Sequence, residues 1–323
     1  ATMPDYSSLF NKFLPENKIS QLISDKQGFS VFNNCKYINL NKTDFESIVQ
    51  KSCEYRSSLI IVNSRKSAQQ VYDMLDGNKF HLSTYMTPKH RSKVIAEIKR
   101  NLDNKEKITV VSTSLVEAGV DFDFQVVFRQ IAGLDSILQA GGRCNREGEE
   151  DEGFVFIFET IDKPRGDVLI RADITKNIID KYEDISSAES IEDYYGRLFS
   201  FRQDVIDKNS ISGYLGNNTP IMSIPFKSYA ESFEYIKFDT IGIIINQDQK
   251  SAELLEKLKW GDKSVLKKLQ GYTVSVYFYE FEEIKKMGVL SEIGGVFVLE
   301  NNKYYNQQKG LAFRENFDED YMT

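Results

Sequence analysis

Between residues 58 and 159, short apolar runs alternate with stretches of helical periodicity, and no other feature limits the fold as strongly. "SLIIVN" (58–63) is apolar almost throughout, as expected of a strand buried on both faces. "RKSAQQVYDML" (65–75) then places Ala68, Val71, Tyr72 and Leu75 at helical spacing. "KFHLST" (79–84) reads as another strand. Thr87 and Pro88 follow as N-cap and first position of a helix over "KHRSKVIAEIKRNL" (89–102). "KITVVST" (107–113), "QVVFRQI" (125–131) and "GFVFIFE" (153–159) are further β-type runs, and Asp135 is placed to cap a helix before the last of them. Strands and helices in this order predict an α/β fold, a parallel sheet with helices on both faces.

The pattern changes after about residue 162. Residues 163–211 are polar with scattered apolar positions, most simply a connector of two helices. "SGYLGNNTPIMSIPF" (212–226) is rich in turn residues and marks a boundary. Residues 212–323 then form a small α+β accessory domain in this reading. Its β-type runs are 240–245, 271–281 and 294–300, and one helical stretch covers 250–270. "YTVSVYFYEF" (272–281) is either a half-buried strand or a surface for stacking bases.

The 41 basic against 48 acidic residues leave a net charge of −7, which gives no support to bulk electrostatic binding of nucleic acid. Phosphates can still be held by hydroxyls, backbone amides and helix N-termini. Cys35, Cys53 and Cys144 fit neither a zinc pattern nor a disulfide framework, so reduced thiols and a cytoplasmic location are expected. No apolar run reaches the roughly 20 residues of a bilayer span, and no membrane partner is expected. The two histidines, His81 and His90, read as packing or surface residues rather than metal ligands.

The chemistry concentrates in two segments. "QAGGRCNREG" (139–148) holds Arg143 and Arg146 three apart, which on a helix puts both on one face. Two guanidinium forks so placed suit phosphate oxygens. The plainer reading is a solvated helix whose arginines pair with Glu147, Glu149 and Glu150. "VSTSLVEAGVDFDF" (111–124) follows a strand with hydroxyl residues and then offers Glu117, Gly119 and Asp121. Strand C-termini are where open α/β sheets bind ligands.

Together, 111–148 resembles motifs V and VI of superfamily 2 helicases, and within them the helicase–nuclease of type I CRISPR systems. "LIIVNSRKSAQQVYDML" is similar to that family's motif IV, and "LQGYTVSVY" and "YYNQQKGL" more weakly to its C-terminal domain. "ATMP" (1–4) matches the tail of motif III, making 1–20 the inter-lobe linker and 21–162 the second RecA-like lobe. The resemblance implies an ATP-dependent translocase on single-stranded DNA. Arg146 would be the arginine finger, Arg143 its partner and Gln139 the group positioning them. Asp121 would reach the ribose, with Gly119 allowing close approach. Ser64, Arg65, Ser112 and Thr113 would touch the DNA backbone. ATP and Mg would be bound mainly by a first lobe, because no G-x-x-x-x-G-K-[ST] or D-E-x-H-type motif occurs. The implied partners are that first RecA-like lobe, a His-Asp nuclease domain, the CRISPR surveillance complex and an inhibitor protein. The chain alone is expected to be inactive. Two other readings stay open: a non-catalytic C-terminal binding module, and a superfamily 2 lobe without a CRISPR role.

Overall fold

A computed structural model describes residues 35–117, 119–161, 166–201, 225–232 and 240–313. The motif III tail, the linker at 1–20, most of the boundary at 212–226 and the acidic C-terminal tail lie outside the described residues. Six strands form an all-parallel sheet: β1 (Cys35–Lys42), β2 (Ser57–Ile61), β3 (Lys79–Leu82), β4 (Ile108–Ser112), β5 (Val126–Gln130) and β6 (Gly153–Glu159). Their order is β1-β6-β5-β2-β4-β3. β2 is central and buried at every position. Leu59 and Ile61 pack on one face, Ile60 and Val62 on the other, which is the period-two consequence of the pleat. β1 was not foreseen, because as an edge strand it is half exposed and its "CKYINLNK" carries polar residues.

Helices α1 (Phe45–Ser52), α2 (Arg65–Met74), α3 (Pro88–Asp103) and α4 (Leu134–Gly141) cover the sheet. Asp44, Ser64 and Thr87 each accept a hydrogen bond from the amide three residues on, satisfying a donor that the helix leaves open. Asp135 does not cap α4: Gly133 is the N-cap, without a side-chain bond. The Asp135 carboxylate instead accepts from Tyr194 Oη (2.9 Å) and Arg171 Nη1 (3.2 Å). Those partners lie on α5 (Asp167–Lys181) and α6 (Ala188–Phe201), which bury Ile174, Ile178 and Leu198 with Ile137 of α4.

A short helix, α7 (Phe226–Ser232), precedes the last region. There β7 (Thr240–Ile245), β8 (Thr273–Tyr277), β9 (Leu290–Ile293) and β10 (Val296–Leu299) form a mixed sheet ordered β8-β7-β10-β9. The turn from β9 to β10 is Gly294–Gly295, both at positive φ (59° and 84°), as a two-residue hairpin with a primed turn requires. The helical stretch at 250–270 is interrupted: α8 (Gln249–Lys259) ends before Gly261 at φ 91°, and α9 (Leu266–Leu269) follows. The strand expected over 271–281 stops at Tyr277, and α10 (Phe278–Lys286) takes over. The reason is local: the Glu280 carboxylate accepts the Tyr277 amide at 2.8 Å and opens a helix there. A hairpin of β11 (Tyr305–Asn306) and β12 (Gly310–Leu311) completes the described chain.

This region docks on the parallel-sheet lobe through polar contacts. The Leu311 amide donates to Tyr85 O at 2.9 Å, an approach so close that a side chain on Gly310 would strike that carbonyl. The Thr87 amide donates to Tyr305 Oη (3.0 Å), and Lys89 pairs with Asp248 (2.6 Å) and Lys309 with Asp73 (2.9 Å). Glu280, buried, holds Arg65 (2.7 Å) and Tyr85 Oη (2.5 Å) together.

His81, on β3, is 1% exposed, stands edge-on to Tyr72, and neither ring nitrogen has a hydrogen-bond partner. Burial pushes its imidazole down to about 3. A folded-state value below the unfolded one means that stability is complete above roughly pH 6.5 and is lost as pH falls toward the folded value. Urea unfolding at pH 7 and pH 5 should therefore show an acid-side loss about 2 kcal/mol larger in the native chain than in His81→Leu. Equal losses would contradict the assignment.

Candidate functional site

The chain crosses the sheet between β4 and β5, because parallel strands require a return to the same end. The crossover opens with Thr113 and a short 3₁₀ turn, Ser114–Val116. Gly119 follows at φ 77°, exposed and with nothing near the position of a Cβ. Glycine suits that backbone angle, and no close approach to another protein atom is involved. Asp121 is exposed beyond it, and Phe122 and Phe124 anchor the segment in the core.

Arg143 and Arg146 do not share a helical face. α4 ends at Gly141, Gly142 caps it, and Asn145 adopts φ 43°. Cys144 instead bridges to Phe124, with the Phe124 amide donating to Arg143 O and the Asn145 amide to Phe124 O, both at 2.9 Å. Two consecutive glycines are a poor continuation for a helix, so the i, i+3 argument fails here. The guanidinium groups nevertheless belong to one structure. Arg143 donates Nε to Val116 O and Nη2 to Glu117 O, each at 3.0 Å, fastening the arginine turn to the crossover. Arg146 Nη1 pairs with Asp121, and both side chains are largely open to solvent. The Asp123 carboxylate accepts the amides of Arg146 (2.8 Å) and Glu147 (3.0 Å), holding the turn in place. Glu149 and Glu150 turn elsewhere, to Lys105 and Arg56. Gln139 is exposed on α4, and the groups that fix the two arginines are carbonyls and Asp121 rather than this amide.

At the other end of the sheet, Ser64 is exposed as the N-cap of α2, and Thr113 is half-buried just past β4. The register pairs Ile61 with Ser112, so the segments carrying Ser64 and Thr113 leave the sheet at the same end. Ser112 itself is 0% exposed and donates to Leu82 O at 3.0 Å; it has no surface with which to meet a DNA strand. Arg65 is diverted as well. Its guanidinium lies over the rings of Tyr85 (4.2 Å) and Tyr277 (4.6 Å) and bonds Glu280.

A buried polar network that the sequence reading missed joins these parts. Arg129, the penultimate residue of β5, is 2% exposed and pairs with Glu117 at 3.1 Å. It also donates to Asn63 Oδ1 (2.8 Å) and Ser136 Oγ (2.8 Å), and Ser136 donates to Glu117 (2.7 Å). Burial pushes the Glu117 carboxyl above its ordinary value, while Arg129 and Ser136 oppose that shift. The available signal was an arginine inside the apolar run "VVFRQI", where an unpaired charge is not tolerated. Among the described residues no group of three or more His, Cys, Asp or Glu side chains is placed to hold a metal ion.

Arg129→Met should cost about 3–5 kcal/mol, because it leaves the Glu117 carboxylate buried without its partner. Adding Glu117→Gln should recover much of the loss. Chemical denaturation of both variants checks this, and a single variant within about 0.5 kcal/mol of native would contradict the network's role.

Residues 54–149 match a family model described as "CRISPR-associated nuclease/helicase Cas3, C-terminal". The Cas3 nuclease/helicase of Methanothermobacter thermautotrophicus is 31% identical over 136 residues, 40% of this chain and 16% of that protein. That of Haloferax volcanii is 52% identical over 58 residues, 18% of this chain and 6% of its own length. The matches thus span well under a fifth of either curated relative. Among solved structures, T. fusca Cas3 with ATP shares the fold at a TM-score of 0.56 and 13% identity, over 88% of this chain and 40% of that one. A chain of a CRISPR RNA-guided surveillance complex in a pre-nicking state gives 0.51 and 13%, over 86% and 44%. The parallel sheet is RecA-like, the segments 58–75 and 111–148 lie within the residues that the family model matches, and over that stretch the chain is similar to the C-terminal part of Cas3 nuclease/helicases.

Proposed function

We propose that this chain is the C-terminal part of an ATP-dependent single-strand DNA translocase that unwinds target DNA in type I CRISPR interference. The observation that carries the reading is the Arg146 guanidinium, exposed, paired only at the surface with Asp121, and standing on a turn that Arg143 and Asp123 fasten to the crossover. An exposed pair of this kind contributes about 0–1 kcal/mol, so Arg146 can leave Asp121 for a phosphate at little cost. Preorganised cationic donors aimed at developing negative charge are what phosphoryl transfer requires of a lobe of this kind. The donor set suits phosphate rather than a metal ion, so ATP and its magnesium would be held chiefly by a first RecA-like lobe, and hydrolysis would supply the energy for stepping. Asp121, once released, is available to a ribose hydroxyl. Thr113 and the Ser64 end of α2 would take the DNA backbone; Ser112 and Arg65 are spoken for inside the protein. The surveillance complex and a nuclease domain are partners on the same reading.

In an enzyme containing both lobes, Arg146→Ala should reduce DNA-stimulated ATP hydrolysis on the order of 10³-fold while nucleotide affinity stays within a few-fold. Near-native turnover would remove Arg146 from the mechanism. Steady-state assays on the purified chain alone should show no ATP turnover, with or without DNA; robust turnover lost in Arg146→Ala would overturn the need for a first lobe. Thr113→Val keeps the shape and removes the donor. It should weaken single-stranded DNA about equally for all sequences, whereas a sequence-selective loss would point to base readout.

A further inference from the structure

Three consecutive aromatic residues at the β8–α10 junction are open to solvent: Tyr277 at 46%, Phe278 at 62% and Tyr279 at 56% exposure. The rings of Tyr277 and Tyr279 are close to parallel, with centroids 5.8 Å apart and 12° between planes. Folding leaves this apolar surface in water, whereas Val274, Val276 and Phe281 beside it are buried. The place of the group is fixed by Arg65, whose guanidinium lies 4.6 Å from the Tyr277 ring and donates to Ser275 O and to the buried Glu280. Tyr277 is thereby held against Arg65 in the first turn of α2, where Ser64 and Lys66, on either side of Arg65 in the chain, are exposed.

We propose that Tyr277, Phe278 and Tyr279 form a stacking shelf for the bases of single-stranded DNA, set alongside the edge of the sheet that takes the strand's phosphates. The proposal rests on the single-strand reading above and adds a base-binding site in the accessory domain. Every base presents a π-face, so rings of this kind bind without regard to sequence. Charge decides the orientation. Lys66 and the α2 N-terminus favour phosphate, whereas Glu282 and Glu283, further along α10, disfavour it. The backbone accordingly belongs on the α2 side and the bases on the rings. Arg65 is a positioning residue here: it holds Tyr277 in place and contributes no phosphate contact.

The test is anisotropy of a fluorescent dT20 oligonucleotide on the 323-residue chain, across a range of salt. Phe278→Ala/Tyr279→Ala should weaken binding about tenfold, with the slope of log Kd against log salt unchanged because no phosphate contact is lost. Phe278→Tyr/Tyr279→Phe should bind like the native chain. An oligonucleotide carrying 2-aminopurine should lose fluorescence on the native chain and much less on the alanine variant. If the double variant melts early, Phe278→Ala alone serves, since that ring is 62% exposed and its removal leaves no cavity. Native-like affinity in the alanine variants overturns the shelf and leaves the rings as a protein-docking surface. A native chain that binds no single strand at all overturns the DNA reading, and the shelf with it.

Discussion

The arginine near the C-terminal end of β5 is the constraint to which the parallel-sheet lobe conforms. A guanidinium buried in a parallel sheet is tolerated only if its charge is met within the protein, and Arg129 meets it by pairing with Glu117 while its terminal nitrogens donate to Asn63 and Ser136. Those three residues come from the crossover after β4, the turn after β2 and the first turn of α4. One buried side chain therefore fixes the relative positions of three segments separated by up to about seventy residues of sequence. A pair of this kind adds little net stability against an apolar alternative, yet breaking it is costly, so what it confers is a single arrangement.

The arginines differ in role because they differ in solvent. Arg129 is sealed and structural, Arg143 is half-buried and binds carbonyls, and Arg146 is exposed and paired with a still more exposed carboxylate. Only the last can exchange partners cheaply, as a group that meets a substrate must. The same graded burial operates across the domain junction. Glu280 is buried and gathers Arg65, Tyr85 and the Tyr277 amide, which ties the accessory sheet to the start of α2. The lobe and the accessory region thus meet at the start of α2, where Ser64 caps the helix and Arg65 lies over the Tyr277 ring.

Sequence alone determined the parallel α/β lobe, because five apolar runs with helical stretches between them admit little else, and the cap at Thr87 is written in a single residue. It also singled out the segments that carry Arg143, Arg146, Gly119 and Asp121. Edge strand β1 escaped because solvent allows an edge to be polar, and the switch from β8 to α10 escaped because alternation persists across it. Tertiary structure decided what each polar side chain does. Ser112 and Arg65 were indistinguishable in sequence from surface donors, and only packing shows one bonded to a neighbouring strand and the other to Glu280. It likewise moved Arg143 and Arg146 off a helix and onto a turn fastened to the crossover. The physical reason is that periodicity reports which residues are buried, whereas the partner of a buried or half-buried charge comes from elsewhere in the chain and is known only when the chain has folded.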